Sequence, residues 1–594
     1  MKSELLSLAW LPGYFWVPLA AFVLSLAQPV SALQDNKGTE FIFSFTPNYN
    51  SSDLDIEVHL TADAATEVTV EYPVNSPTFT TTVPVTPGSI VTVALPSDVS
   101  QGWTSDSIAN NAVRLSATGE FVAYLINRYP YTSDAALGLP IDVMNTEYIV
   151  ATFDTPQGWD SYPAHFTVTS IYDSTSVTVV PSNDLVGGHA AGVPYTFNLN
   201  RGEGILLEQL AAGFNGGLAG TIVTADKPIG VTNGNRCTQV PIGTAACDTL
   251  MEVAQPVQSW GREILVLNTP DRPQGSVYRI LASQNGTEVL QDGASIGTIN
   301  RGQFLQVGPI AQSHVFSSTD PIFVVQYLTG LDSPGATSGD PAMANFGPKE
   351  QYLNGYTFAT VGGQQFAQHF LMVIAANTDV GTLTLDGSPV SAAAFTSISG
   401  SDYSSAVIPL PEGTHQTASD SGHGIWVLGY NNYDSYSFPG GAKFQSINNL
   451  GDPWPPQCDA ELVVNESTYF DISATENHPE EEGDNITNRE TGIFLVELLE
   501  GSTNLALNVP IFVPGVTSLN FVASVVDPQF PGSGTVRVTD GAGNSCELAL
   551  NSGVEVDCEG VPGGGKVYDR CGVCGGDGMS CCQCTATSAL CSTA

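Results

Sequence analysis

Basic side chains are scarce in this sequence. Lys and Arg number 17 against 59 Asp and Glu, a formal net charge of −42 over 594 residues. Such an excess repels a phosphate backbone, which excludes general nucleic-acid binding, and it argues equally against docking on anionic lipid. Long apolar runs are missing after the first 32 residues. No later stretch approaches the ~20 apolar residues of a membrane span, so the mature chain is not expected to be membrane-embedded. Catalytic signatures are missing as well: there is no HExxH, no GxSxG and no GxxxxGK[ST]. The eight histidines are dispersed, and no spacing selects a pair of carboxylates of the glycosidase kind. The expectation is a protein that is not an enzyme, without catalytic or metal-ligating residues.

The first 32 residues carry Lys2, an apolar stretch from about Gly13 to Ala27, and Val30-Ser31-Ala32. This is the grammar of a cleaved signal peptide, with Glu4 as the discordant residue. Secretion to an extracellular location follows as the expectation. Eleven cysteines suit an oxidising compartment. Cys237 and Cys247 flank a short loop turned by Pro241 and Gly243, and a disulfide between them is expected. Sequons at Asn50, Asn285, Asn465 and Asn485 are candidate glycosylation sites.

With 60 Gly and 38 Pro the chain is rich in turns, and its strands repeat. "ATGEFVAYLINR" from Ala117, "TADKPIGVTNGN" from Thr224, "TDPIFVVQYLTG" from Thr319 and "DSGHGIWVLGYNN" from Asp420 share one plan. Each reads as a small or polar turn, an apolar run, then Tyr or Asn in another turn. Each closes a unit that opens on an alternating segment starting at Asp55, His165, Ser276 or His369. Period-two alternation, a polar turn and a returning Thr/Val strand spell β-hairpins. His165 and His369 hold equivalent strand-start positions, which reads as architecture.

The landmarks Val68, Val177, Val289 and Leu383 recur at a domain-sized interval of roughly 95 to 110 residues. The fold expected is all-β: four tandem β-sandwich-like units at 33–135, 136–245, 246–345 and 346–450. A β-propeller-like arrangement of the repeats is the alternative. The linkers repeat too: Asp248, Met251, Pro256 and Trp260 align with Asp340, Met343, Pro348 and Tyr352, a packed connector. The long polar loop "TGLDSPGATSG" before the second connector reads as a contact surface.

"GTEFIFSFTPNYN" from Gly38, "NRCTQVP…ACDTLMEVAQPVQSWG", the "TDPIFVVQY…GDPAM…P…QY" block and "GYNNYDSYSFPGG" together resemble the IgG Fc-binding protein N-terminal domain family, over about residues 38 to 445. The resemblance implies a secreted, mucus- or matrix-associated protein that binds other macromolecules. It transfers neither immunoglobulin binding nor a residue-level ligand site. Gly339-Asp340-Pro341 is also similar to the self-cleaving sequence of von Willebrand D domains, but Ala342 stands where that sequence has His, so no cleavage is expected.

After Pro453-Trp454-Pro455-Pro456 the grammar changes. Residues 457–556 read as an Ig-like β domain, with a tight turn at Asp540-Gly541-Ala542-Gly543-Asn544 and Cys458 and Cys546 placed to bridge its ends. "EEEGDN" from Glu480 is an acidic, solvated loop. Residues 557–594 form a Cys-rich tail. Its "DRCGVCGGDGMSC" resembles a structural element of secreted metalloproteases of the ADAMTS type and of other extracellular proteins. Cys558, Cys571, Cys574 and Cys581 are accordingly assigned to disulfides rather than to zinc, with Asp569 and Asp577 as weak calcium candidates. No cofactor is required. The odd cysteine count leaves a thiol for a covalent oligomer.

The function expected is a secreted, non-enzymatic binding or adhesion protein of matrix, mucus or cell surface. It would grip an extracellular glycoprotein or glycan through the loops of its repeats. A purely structural matrix component is the alternative, and a carbohydrate-active enzyme is a more distant one.

Overall fold

A computed structural model describes residues 35–553 except 51–53, 214–215, 363–365, 448–453, 465–467, 477–491, 500, 511, 513–515 and 541–543; beyond 553 it describes Lys566 and Cys574. The signal-peptide segment, Asn465, Asn485, Glu480, Cys558, Cys571, Cys581, Asp569 and Asp577 lie outside the described residues. Among the described residues no helix is long and apolar enough to cross a membrane.

The four recurrent segments are the second halves of four long strands: Val113–Tyr129, Ile222–Thr238, His314–Tyr327 and Thr414–Asn431. Their polar stretch is therefore not a turn, as its Gly, Asp and Pro content suggests. It is the point where one strand leaves one sheet and enters another. Val113–Tyr129 pairs first with Gly38–Phe43 and Thr66–Tyr72, then with Asp55–Thr61 and Thr132–Leu137. Between Ser116 and Phe121 it has no ladder partner, and the other long strands show the same gap at 226–228, 319–321 and 419–422. Pro228 and Pro321 fall in these gaps, where a missing N–H costs nothing.

Each unit is thus two curved sheets sharing one strand. The strands opening at Asp55, Ala164, Ser276 and Gln368 all lie antiparallel to the second half of their long strand, so the alternating segments are equivalent. Traced by hydrogen-bonded sheets, the units span 38–137, 145–253, 261–346 and 353–439, except that Ile108–Ala109 crosses over to pair with Gly204 and Ile205 at the edge of the second unit's sheet. In each, a last strand returns along the long one: Thr132–Leu137, Asp248–Val253, Met343–Phe346 and Asp434–Pro439. These inner strands pack on one another in cyclic order, the first touching the second and fourth and the third touching the same two. The repeats therefore close into a propeller-like ring of sandwich-like units.

The core is shared across unit boundaries, and one cluster joins Phe41, Leu125 and Ala136 to Phe358, Val427 and Phe438. Tyr124 seals this first-to-fourth junction, donating to Thr357 O and Gly440 O, with its ring 4.8 Å from that of Phe438. Arg279 keys the second unit to the third. It is fully buried, donates to Gly216 O and pairs with Asp154 at 2.8 Å, and it lies over the rings of Phe153 and Phe304. In the connectors, Pro256 and Pro348 start single turns that bury Trp260 and Tyr352.

The C-terminal module is a separate pair of sheets. One holds Gln457–Val464, Thr468–Thr475, Ser518–Val525 and Leu505–Asn508, the other Ile493–Leu498, Ser533–Asp540 and Ser545–Asn551, around a core that includes Ile472, Phe521 and Val536. Cys458 is joined to Cys546 across these sheets, and Cys237 to Cys247 in the ring.

Candidate functional site

Near the start of each inner strand, within it or just before it, stands an aspartate: Asp134, Asp248, Asp340 and Asp434. The ring brings all four towards its axis, where Asp248 feels the charges of the other three. Asp134 is the hub. Its Oδ2 accepts from Met251 N at 3.0 Å and Met343 N at 3.1 Å, its Oδ1 from Ala135 N at 2.9 Å and Ser437 N at 3.4 Å. One side chain thereby ties together an inner strand from every unit. Burial raises the Asp134 carboxyl well above its ordinary value against the pull of those four N–H groups. Burial raises Asp248 and Glu252 in the same way, helped by neighbouring carboxylates, and pushes Asp340 up to about 6. Among the described residues no group of three or more His, Cys, Asp and Glu is arranged to hold a metal. The hub is a hydrogen-bonded framework.

Above the hub the four connections from long strand to inner strand meet. Two are tight hairpins, Tyr129 pairing with Thr132 and Asn431 with Asp434. Two are long. The 239–247 loop is closed by Cys237–Cys247, and the 328–342 loop is braced by Arg272, which donates to Thr329 O at 2.7 Å and Ser338 O at 2.8 Å. Asp271 accepts from Thr337 N and Ser338 N, and against partial burial these bonds hold its carboxyl below the ordinary value. Backbone bonds join neighbouring connections: Gly330 N to Val240 O at 2.8 Å, and Gly339 N to Asn431 O at 2.6 Å. The result is one rigid mouth made by all four units.

The mouth is lopsided, because the first and fourth units contribute short hairpins. Between these hairpins lies a cleft of about 230 Å³ lined by Asp55, Arg128, Tyr129, Pro130, Tyr131, Asn431, Asn432 and Asp434. Tyr131 and Tyr433 sit at the two hairpin tips, 68% and 42% exposed, with φ of +68° and +56°. Arg128 is held by Glu57 at 2.8 Å and by Gly362 O at 3.0 Å, while its buried Nε has no hydrogen-bond partner. Burial raises the Glu57 carboxyl, but the His59 hydrogen bond and the Arg128 charge outweigh it and leave the group below its ordinary value. An aromatic strip leads into the cleft. Trp159 and Tyr162 lie 6.0 Å apart, Tyr162 stacks on Tyr49 at 4.9 Å, and Tyr49 meets Tyr129 at 6.2 Å.

Of the residues singled out in the sequence, Cys237 and Cys247 and the polar loop after Thr329 belong to this mouth. Asn50 is exposed beside it and donates to the Tyr129 hydroxyl at 3.2 Å, while Asn285 is exposed in a hairpin turn. Cys458 and Cys546 lie in the C-terminal module and take no part. His165 is fully buried, and His369 Nδ1 lies 2.8 Å from the Tyr436 hydroxyl. The hub aspartates carried one visible signal, an Asp at or just before the last strand of each repeat; the hairpin tyrosines carried none.

The family described as IgGFc binding protein matches residues 134–429. The IgGFc-binding protein of Homo sapiens is similar at 24% identity over 413 residues, which is 67% of this chain and 7% of that protein. The chain thus spans a small fraction of the length of this curated relative.

Proposed function

We propose, on the premise that this chain belongs through residues 134–429 to the IgGFc-binding protein family, that it is a secreted binding protein that grips an extracellular macromolecule with the mouth of its ring. The observation that carries this reading is the meeting of all four unit connections on one side, with exposed aromatic rings and a polar cleft among them. Binding sites favour loops held by a rigid scaffold, and here the scaffold is a closed ring with a hydrogen-bonded hub. Tyrosine is suited to such a surface because it offers a large amphipathic area at low entropic cost.

Within this reading, residues 1–32 direct secretion, Asn50 and Asn285 carry glycans, and the tail from Asp557 is a disulfide-held appendage through which chains link covalently. The relative's name points to immunoglobulin Fc as one ligand to try, beside secreted mucin glycoproteins and matrix glycoproteins. The test is surface binding of the full chain to immobilised Fc, mucin and matrix glycoproteins. At least one should bind, and the Tyr131→Ala/Tyr433→Ala chain should lose more than tenfold, about 1.4 kcal/mol, while a Glu288→Gln control loses nothing. Equal binding by all three chains would place the contact elsewhere.

A further inference from the structure

We infer that the cleft between the Tyr129–Thr132 and Asn431–Asp434 hairpins is a carbohydrate subsite that seats a neutral hexopyranose, with the aromatic strip carrying the next sugars of the chain; this deepens, and rests on, the reading of the mouth as the binding surface.

The polar groups of the cleft select the class of ligand. Asp55 is exposed and offers carboxylate oxygens, and Asn431 and Asn432 add amide groups. Arg128 also lines the cleft, but its charge is already matched by Glu57 and its Nε is sealed from the surface. The cleft therefore asks for a group that donates to Asp55 and exchanges hydrogen bonds with the Asn431 and Asn432 amides without bringing charge of its own. An anion would face Asp55 and Asp434, and a cation would face Arg128. A hydroxyl does both jobs, and a pyranose presents several on neighbouring carbons. The volume, about 230 Å³, suits one ring rather than a larger ligand.

The aromatic groups agree. Sugar rings have an apolar C–H face that packs on flat side chains, and Trp159, Tyr162, Tyr49 and Tyr129 form a run of rings extending from the second unit to the cleft. Tyr49 is 40% exposed and Tyr131 68%, too exposed to be explained by core packing. Tyr131 also holds a left-handed backbone conformation that is unfavourable for a bulky residue, a kind of strain that gathers at ligand-binding sites. The net charge of −42 adds a direction to the specificity, disfavouring sialylated or sulfated termini.

The experiment applies the full chain to a printed panel of glycans with neutral hexose termini and their sialylated counterparts, followed by saturation-transfer NMR with methyl hexosides. Binding to a subset of neutral termini is expected, at least tenfold stronger than to the sialylated forms. It should fall at least tenfold in Asp55→Ala and in Tyr49→Ala with the thermal midpoint unchanged. Tyr49→Leu, which keeps apolar bulk, replaces Tyr49→Ala if that chain does not fold. Absence of any glycan binding overturns the inference, and so does glycan binding indifferent to these substitutions. A parallel arm uses the glycoprotein retained in the surface-binding test, before and after enzymatic removal of its glycans. Retention that survives deglycosylation yet is lost in Tyr131→Ala/Tyr433→Ala overturns the carbohydrate inference and leaves the mouth as a protein-binding surface. Retention indifferent to those tyrosines overturns both.

Discussion

Tyr131 occupies the second position of a two-residue hairpin loop, where φ is +68°. Pro130 before it fixes its own φ near −65°, which gives the pattern of a type II turn, and that turn favours Gly at its second central position. Two other two-residue turns of this chain do place Gly second, Asp292-Gly293 and Asp386-Gly387, whereas Tyr433 at the facing hairpin tip repeats the exception. A side chain kept at a strained, exposed position serves something other than the hairpin. Tyr131→Gly should accordingly leave unfolding stability within about 1 kcal/mol of the parent, relieved strain offsetting the added freedom of glycine. The same change should cost more than tenfold in ligand binding, and denaturant unfolding paired with surface binding checks both. Asp340 offers a second residue-level prediction. Its folded carboxyl lies at about 6 against 3.8 when solvated, because of burial. The native state holds that proton more tightly, so the stabilising contribution is complete below pH 3.8 and is lost as the pH rises through about 6. Replacement by Asn keeps an oxygen for Ala246 N and Leu331 N and removes the titration. Between pH 4 and pH 8 the D340N chain should gain about 2 kcal/mol relative to the parent, measured by urea unfolding at each pH.

At the scale of the element, the long strand explains what could be read and what could not. Its apolar half was legible because a continuous apolar run ending in Tyr or Asn is a local signal. Its polar middle was misleading, since Gly, Asp and Pro mark turns and sheet crossings alike, and a single strand does not say which. The inner strands are short and fully buried, so they lack alternation. Arg279 is similar: it lies in a wholly buried strand, and only the carbonyls and carboxylate of the preceding unit justify a cation there. Asp134 gives this scale its sharpest test. Three of its four N–H partners belong to other units, and Asp134→Ala leaves all four without that acceptor. A loss of at least about 3 kcal/mol is expected. Ser133→Ala, on the adjacent hub residue that donates to Asp434 at 3.2 Å, should cost about 1 kcal/mol. Chemical denaturation of the two variants distinguishes a hub from an ordinary buried polar residue.

For the whole molecule, a domain-sized repeat with hairpin grammar was enough to establish an all-β architecture, but not that the fourth unit closes on the first. Ring closure rests on contacts such as Tyr124 with Thr357 and Gly440, which lie more than 200 residues away in sequence and leave no local trace. The mouth was hidden for the same reason: its residues come from every unit, and only the disulfide loop and the polar loop after Thr329 drew attention individually. Closure makes the mouth a single surface, and that is the centre of the functional account. Hydrogen–deuterium exchange of the full chain, free and with a saturating secreted mucin glycoprotein, tests it most directly. The account predicts ligand-dependent protection at 46–50, 128–132, 239–247, 328–342 and 431–434, with little change in 457–551. Protection confined to 457–551, or to ring segments away from these connections, would contradict it.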